Sequence, residues 1–191
     1  MNTKKWVARQ SKDLYVKRKN ESTLFNEYYA RSAFKLIEMN QKFKFLKPNM
    51  KVVDFGCAPG SWSQVLLERK CNVIGYDLLD CELSHPKFQY HKKDISLIDP
   101  TTLTNIDFIV SDMAPNLTGN KARDISSSIE LNSMLLQFVK KNTIGLVCKA
   151  FQSPWQIEFE SELSHYFSSI KKFKPKSSRK ESPEYYYFAT R

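Results

Sequence analysis

The stretch Val52-Val53-Asp54-Phe55-Gly56-Cys57-Ala58-Pro59-Gly60-Ser61-Trp62-Ser63-Gln64 limits what this chain can fold into more than any other. It predicts a short buried strand, a tight glycine turn and the first turn of a helix. Lys51 to Phe55 is β-branched and apolar, bounded by Pro48-Asn49 before it and Gly56 after it. From Ser61 to Arg69, Trp62, Val65 and Leu66 share one helical face. A strand that ends in glycine and feeds a helix is the nucleotide end of a doubly wound α/β domain. Gly56 permits a backbone conformation that a Cβ would block, and Gly60 lets the chain pass close to a ligand. Asp54, at the strand's carboxyl end, either anchors the loop or faces a positively charged ligand.

The loop reads G-x-A-P-G rather than G-x-G-x-x-G. Pro59 has no N–H to offer, so the loop is poor in the donors that a pyrophosphate needs. That favours a nucleoside ligand without a phosphate bridge, and S-adenosylmethionine fits the description. A purely structural turn and a dinucleotide site are the alternatives. The acidic residue that receives ribose hydroxyls in such sites lies about 20 residues beyond the loop. Asp77 stands at that place, after the apolar run Cys71 to Tyr76.

The 191 residues suffice for one α/β domain with a proper core. The chain reads as a single domain over 1–191, with 1–25 as a basic arm, and as a monomer. Its net charge of +10 points to a polyanionic partner, above all nucleic acid. The run Lys4 to Lys19 is expected to be a helix with Trp6 as anchor. Lys4, Lys5, Arg9, Lys12, Lys17, Arg18 and Lys19 carry its charge against Asp13 alone. It suits RNA contact, a solvated helix, or a mitochondrial targeting segment. No apolar run approaches the roughly 18 residues of a membrane span, and Met1 to Trp6 lacks the apolar core typical of a signal peptide, so none is expected. Cys57, Cys71, Cys81 and Cys148 are widely spaced and read as reduced thiols of an intracellular protein. His85, His91 and His165 do not approach metal-ligand spacing, so no metal site is expected.

Further elements follow from periodicity. Helices are expected at Tyr29 to Phe43, Asp124 to Lys141 and Ile157 to Phe167. Strands are expected at Phe88 to His91, Asn105 to Val110, Thr143 to Cys148, Ile170 to Phe173 and Tyr185 to Ala189. The last two, joined by the basic loop Lys174 to Pro183, should pair antiparallel. Ligands bind outside the carboxyl ends of strands in such sheets. Asp54, Asp77, Asp94, Asp112 and Lys149 all follow predicted strands at that edge. Taken singly, Asp77 and Asp94 also suit helix caps or turns.

These residues carry a resemblance. The chain resembles the FtsJ-type (RrmJ-type) ribosomal RNA 2′-O-methyltransferases over nearly its whole length. The matching stretches are Arg31 to Leu36, Asp54 to Gln64, Asp77-Leu78-Leu79, Ser111 to Asn116, Cys148 to Phe151 and Lys174 to Thr190. Arg31 to Asn40 and Ser178 to Ser182 are most similar to the mitochondrial large-subunit branch. The resemblance implies a Rossmann-like fold, with a mostly parallel seven-stranded sheet, helices on both faces and an antiparallel C-terminal strand. It implies transfer of a methyl group from S-adenosylmethionine to a ribose 2′-hydroxyl, on a uridine of large-subunit rRNA or of the large ribosomal subunit. The family's Lys-Asp-Lys-Glu tetrad falls on Lys35, Asp112, Lys149 and Glu184. The cofactor set becomes Asp54, Gly56, Pro59 and Gly60 from the loop, with Trp62, Asp77, Asp94 and Asp112. Cys57 and Ser61 depart from the small residues common in the family's loop, and the short Asp77 to Asp94 segment weakens the assignment of Asp94.

The chemistry suits these types. A ribose hydroxyl is a poor nucleophile until its proton leaves. Lys149, among apolar strand residues, holds its charge at a cost and can act as base. Lys35 would stabilise the alkoxide, Asp112 orient the base, and Glu184 hold Lys35 or the ribose. Lys35, on a helix beside Arg31, is expected to reach water more easily than Lys149. The choice of Lys149 over Lys35 as base rests on the resemblance and on strand position. Methyltransferases acting on tRNA or mRNA caps, which use the same tetrad, are the alternative substrates' enzymes. A ribosome-assembly factor that binds RNA and S-adenosylmethionine with little turnover is the alternative outside enzymology.

Overall fold

A computed structural model of the chain describes residues 24–116, 118–179 and 181–191. The helix expected over Lys4 to Lys19 lies outside them. Chain order runs α1 (Ser32–Phe43), β1 (Lys51–Phe55), α2 (Ser61–Glu68), β2 (Asn72–Asp77), β3 (Phe88–Lys92), a 3₁₀ turn (Ile95–Leu97), β4 (Phe108–Ser111), α3 (Lys121–Leu136), β5 (Gly145–Phe151), α4 (Gln156–Ser164), β6 (Ser169–Phe173) and β7 (Glu184–Thr190). The strands form one seven-stranded sheet in the order β3-β2-β1-β4-β5-β7-β6. β1 pairs parallel with β2 and β4, β2 with β3, and β4 with β5. Only β7 runs the other way, antiparallel to both β5 and β6. The Rossmann-like expectation holds, including the reversed last strand.

The period of two assigns each strand residue to a face. Val53, Ile109, Leu146, Tyr185 and Tyr187 pack with Leu135 of α3 and with Phe159 and Leu163 of α4. Val52, Val110, Val147, Tyr186 and Phe188 pack with Leu36 and Met39 of α1 and with Val65 and Leu66 of α2. Helices therefore cover both faces, as buried parallel strands require. α1 presents Ala33, Leu36, Met39 and Asn40 inward at helical spacing, and Lys35 with them. Lys44 ends it in the left-handed region, its N–H returning to the Asn40 carbonyl.

Several element bounds differ from the sequence expectation for visible reasons. α3 starts three residues early because the Asn120 side chain accepts from Ala122 and Arg123 N–H. It also ends early, where the Phe138 and Val139 N–H groups tighten onto the Leu135 and Leu136 carbonyls. β4 starts late because Asn105 takes a positive φ of 56°. β5 extends to Phe151 because β7 pairs with it along its full length, from Gly145↔Thr190 to Phe151↔Glu184. Lys149 therefore sits inside a strand rather than after one. Asp54 is likewise inside β1, and Asp77 is the last residue of β2.

Candidate active site

The strand order reverses between β1 and β4, and the crevice opens there, as it does in doubly wound sheets. A cavity of about 1010 Å³ runs along the carboxyl ends of the strands. Its floor is the glycine loop. Gly56 has φ +77°, and a Cβ there would stand 2.7 Å from Met113 Cγ, so the loops after β1 and β4 touch. The Ala58-Pro59 peptide is cis. Gly60, at φ +115°, opens α2 and donates to the Cys57 carbonyl at 2.6 Å.

At one end of the cavity, carboxylates hold backbone. Asp77 Oδ2 accepts from Ala58 N–H at 2.8 Å and Oδ1 from Leu79 N–H at 2.9 Å. Asp94 caps the 3₁₀ turn, accepting from the Ser96 N–H and hydroxyl. Those bonds hold its carboxyl below the usual carboxylate range. Asp77 and Asp94 thus do work as turn and cap residues while still lining the cavity, together with Leu78, Leu79 and Ile95. Leu78 and Leu79 are exposed, an apolar edge beside two carboxylates.

Two residues of the expected cofactor set lie behind the wall instead of on it. A Cβ on Gly60 would meet Leu83 and Cys81, so this glycine faces packed protein. Asp54 is fully buried and accepts from the Ser63 hydroxyl at 2.7 Å. Its Oδ1 has no hydrogen-bond partner among the described residues. Burial pushes its carboxyl up to about 8, with Asp112, Cys81 and Asp77 adding to the effect against the Ser63 bond. Asp54 anchors the loop from beneath. Gly56, Pro59 and Trp62 do line the cavity, and the Trp62 indole N–H donates to the Ser32 carbonyl at 2.8 Å.

At the other end, Lys35, Asp112, Lys149 and Glu184 come together from α1, β5, β7 and the segment after β4. Lys35 Nζ lies 2.7 Å from Glu184 Oε1. Lys149 Nζ lies 3.2 Å from Asp112 Oδ1 and donates to the Asp112 carbonyl at 2.5 Å. Between the two pairs stands Tyr186, whose hydroxyl donates to Asp112 Oδ1 at 2.7 Å and accepts from Lys35 Nζ at 3.0 Å. Burial would raise the Asp112 carboxyl, but the Lys149 and Lys35 ammonium groups and the hydrogen bonds from Tyr186 and Lys149 outweigh it, holding it below its usual range. Burial and the Asp112 and Glu184 carboxylates push the Tyr186 phenol far up, so it stays protonated. The Lys35 and Lys149 side chains are 11% and 9% exposed, so both are buried and the expected advantage of Lys35 in reaching water is slight. The segment after β6 is tied to α1 and its lead-in: Glu38 accepts from the Lys176 and Ser177 N–H groups, and Arg31 donates to the Ser177 carbonyl.

Each lysine nitrogen has two protein acceptors, and both residues line the cavity. An ammonium keeps a third hydrogen for an incoming oxygen, and a neutral amine keeps a lone pair. The site can therefore hold a hydroxyl between a donor and a base. Sequence reasoning missed Tyr186 and Asn132, whose side-chain amide donates to the Lys149 carbonyl at 2.9 Å. The alternation of β7 carried the signal for Tyr186, since it shares a face with Glu184. Nothing local marks Asn132, a polar residue in a helix stripe. Among the described residues, no group of three His, Cys, Asp or Glu side chains is arranged to hold a metal ion. All four cysteines are free.

Residues 28–191 match the family profile described as FtsJ-like methyltransferase. The chain is similar to the mitochondrial rRNA methyltransferase 2 of Caenorhabditis elegans, 39% identical over 98% of this chain and 93% of the relative. It is similar to the ribosomal RNA large subunit methyltransferase E of Brachyspira hyodysenteriae, 39% identical over 92% of this chain and 93% of that protein. Among solved structures, a Plasmodium falciparum protein described as a ribosomal RNA methyltransferase superposes with a TM-score of 0.72 at 30% identity, covering 85% of this chain and 97% of its own.

Proposed function

The chain belongs to the FtsJ-like methyltransferase family, and from that premise we propose that it methylates a ribose 2′-hydroxyl of large-subunit ribosomal RNA, on a uridine, with S-adenosylmethionine as donor. The observation that carries the reading is the pairing of Lys149 with Asp112 and of Lys35 with Glu184 at one end of the cavity. Large-subunit RNA is favoured over tRNA or an mRNA cap by the names of the relatives. A mitochondrial site of action is proposed on the Caenorhabditis elegans relative.

The residues fit the donor's chemistry. Asp77, at the end of β2, has lone pairs left for ribose hydroxyls after its two backbone bonds. Leu78, Leu79 and Ile95 give an apolar bed for a base. S-adenosylmethionine supplies a methyl group on a sulfonium, which needs no metal to become electrophilic. The protein's task is to raise the nucleophile. Lys149 Nζ takes the 2′-hydroxyl proton, its two hydrogens remaining on the Asp112 carboxylate and carbonyl. Lys35 Nζ keeps two hydrogens on Glu184 and Tyr186 and gives its third to the developing alkoxide. Asp112 holds the charge that Lys149 acquires. Holding the ribose between two fixed nitrogens also removes much of the entropic barrier.

The test is incubation with methyl-labelled S-adenosylmethionine and, separately, large ribosomal subunits, naked ribosomal RNA, and tRNA. Label at one 2′-oxygen of large-subunit RNA, resistant to alkali, supports the reading. Label confined to tRNA or to a base overturns it.

A further inference from the structure

We infer that Tyr186 is a positioning residue of the methyl transfer, its hydroxyl dividing Asp112 between the two lysines. This rests on the reading of Lys149 as base above. The phenol has a single hydrogen, and that hydrogen goes to Asp112 Oδ1 at 2.7 Å. Its oxygen must therefore accept from Lys35, which it does at 3.0 Å. The direction of the chain Lys35→Tyr186→Asp112 is fixed, because the phenol stays protonated. Tyr186 takes the shorter bond to Oδ1, and Lys149 is left with 3.2 Å to the same atom.

The ring cannot swing away. Tyr186 is fully buried, and it faces Lys149 across the β5–β7 register. Trp62 packs against it at 5.7 Å between centroids, and Lys35 Nζ stands 5.5 Å from the ring centre. The charged groups around the hydroxyl are Lys35 from α1, Asp112 after β4, Lys149 from β5 and Glu184 from β7. Asp54 of β1 lies beneath, and Arg31, Glu130, Arg179 and Glu181 line the same cavity. Asp112 touches both Tyr186 and Lys149. Removing the hydroxyl frees Oδ1 for Lys149, whose ammonium is then held more tightly and gives up its proton at higher pH. It also strips Lys35 of one of its two acceptors.

Tyr186→Phe keeps the ring and deletes only this link. In single-turnover methylation across pH 6–10, the rate at neutral pH should fall about 10- to 100-fold, the usual consequence of losing a hydrogen bond to a charged group. The rising limb of the pH profile should move to higher pH, so that the deficit narrows in alkali. Affinity for S-adenosylmethionine, read by calorimetry, should stay within about twofold, because the bonds at the Asp77 end are untouched. An unmoved profile, or a deficit equal at every pH, overturns the proposal. If Tyr186→Phe loses its fold, 3-fluorotyrosine at position 186 replaces it. That ring packs alike and donates more strongly, so the limb should move to lower pH, and a shift the other way overturns the proposal. Titration of ¹³Cε-labelled lysines in RNA-free protein follows Lys149 directly. An unchanged Lys149 titration in Tyr186→Phe overturns the role of Tyr186. A wild-type protein that labels no RNA overturns the proposed function, while the lysine titration still judges Tyr186.

Discussion

The two ends of the cavity are built by opposite means. At the Asp77 end, side chains hold backbone: Asp77 ties Ala58 and Leu79, and Asp94 ties Ser96. At the Lys149 end, side chains hold side chains, in the chain Glu184–Lys35–Tyr186–Asp112–Lys149. The first arrangement shapes a loop that a ligand then meets. The second is a set of buried charges that balance only together. A loss at the first end weakens a fit. A loss at the second leaves a charge without its partner, which is the costlier fault in a buried place.

The deepest test of this contrast is Asp54, which lies beneath both ends. Its folded carboxyl titrates near 8 against an ordinary 3.8, so the folded chain holds a proton that the unfolded chain has released. Stability should therefore fall as pH rises through that window, by on the order of 5 kcal/mol between pH 4 and pH 9. Asp54→Asn should flatten that slope, gaining most of this amount in alkali and little in acid. Urea unfolding at a series of pH values reads it, and an unchanged slope would mean that Asp54 ionises in place. Next in size, Lys149→Ala should lower single-turnover methylation by about 10²- to 10⁴-fold. Affinity for S-adenosylmethionine should stay near wild type in the same protein. Lys149→Arg should not restore the rate, because a guanidinium keeps its proton. An active arginine variant would move the base to Lys35.

The other end gives smaller effects. Asp77→Ala should weaken S-adenosylmethionine by about 1–3 kcal/mol in calorimetry, and leave the rate at saturating donor within a few-fold. An equal loss in both quantities would erase the distinction between the two ends. The least effect belongs to the loop 174–183. Lys176 and Arg179 are exposed there. Reversing both charges should lower the salt slope of RNA binding by about 2 and leave donor affinity alone.

How much of this could be read beforehand follows the range of the interactions. The glycine loop was legible because Gly56 and Gly60 serve backbone conformations that only glycine takes easily, and these are local. The mostly parallel seven-stranded sheet and the reversed β7 followed from the resemblance and from the short 174–183 loop, whereas the order of the strands is a finding of the structure. The role of Asp54 was not legible. A carboxylate inside β1 looks the same in sequence whether it faces a cavity or a serine beneath it. The similar burial of Lys35 and Lys149 was also hidden, and so was the tie of Lys176 and Ser177 to Glu38 and Arg31 beside Lys35. The Ser177 contacts join residues 139 and 146 positions apart in the chain. Tyr186 lay in plain view within three consecutive tyrosines, and only strand periodicity separates it from Tyr185 and Tyr187.

The pairing of β7 with β5 also orders the birth of the protein. During synthesis the ribosome releases Lys35, Asp112 and Lys149 well before Glu184 and Tyr186. Until β7 pairs with β5, the nascent sheet carries two lysines near one carboxylate and an open edge along Gly145–Phe151. A translation product that stops short of Glu184 thus holds most of the described fold and lacks both acceptors of Lys35, Glu184 and Tyr186. A chain cut before Glu184 is therefore expected to show no methyl transfer.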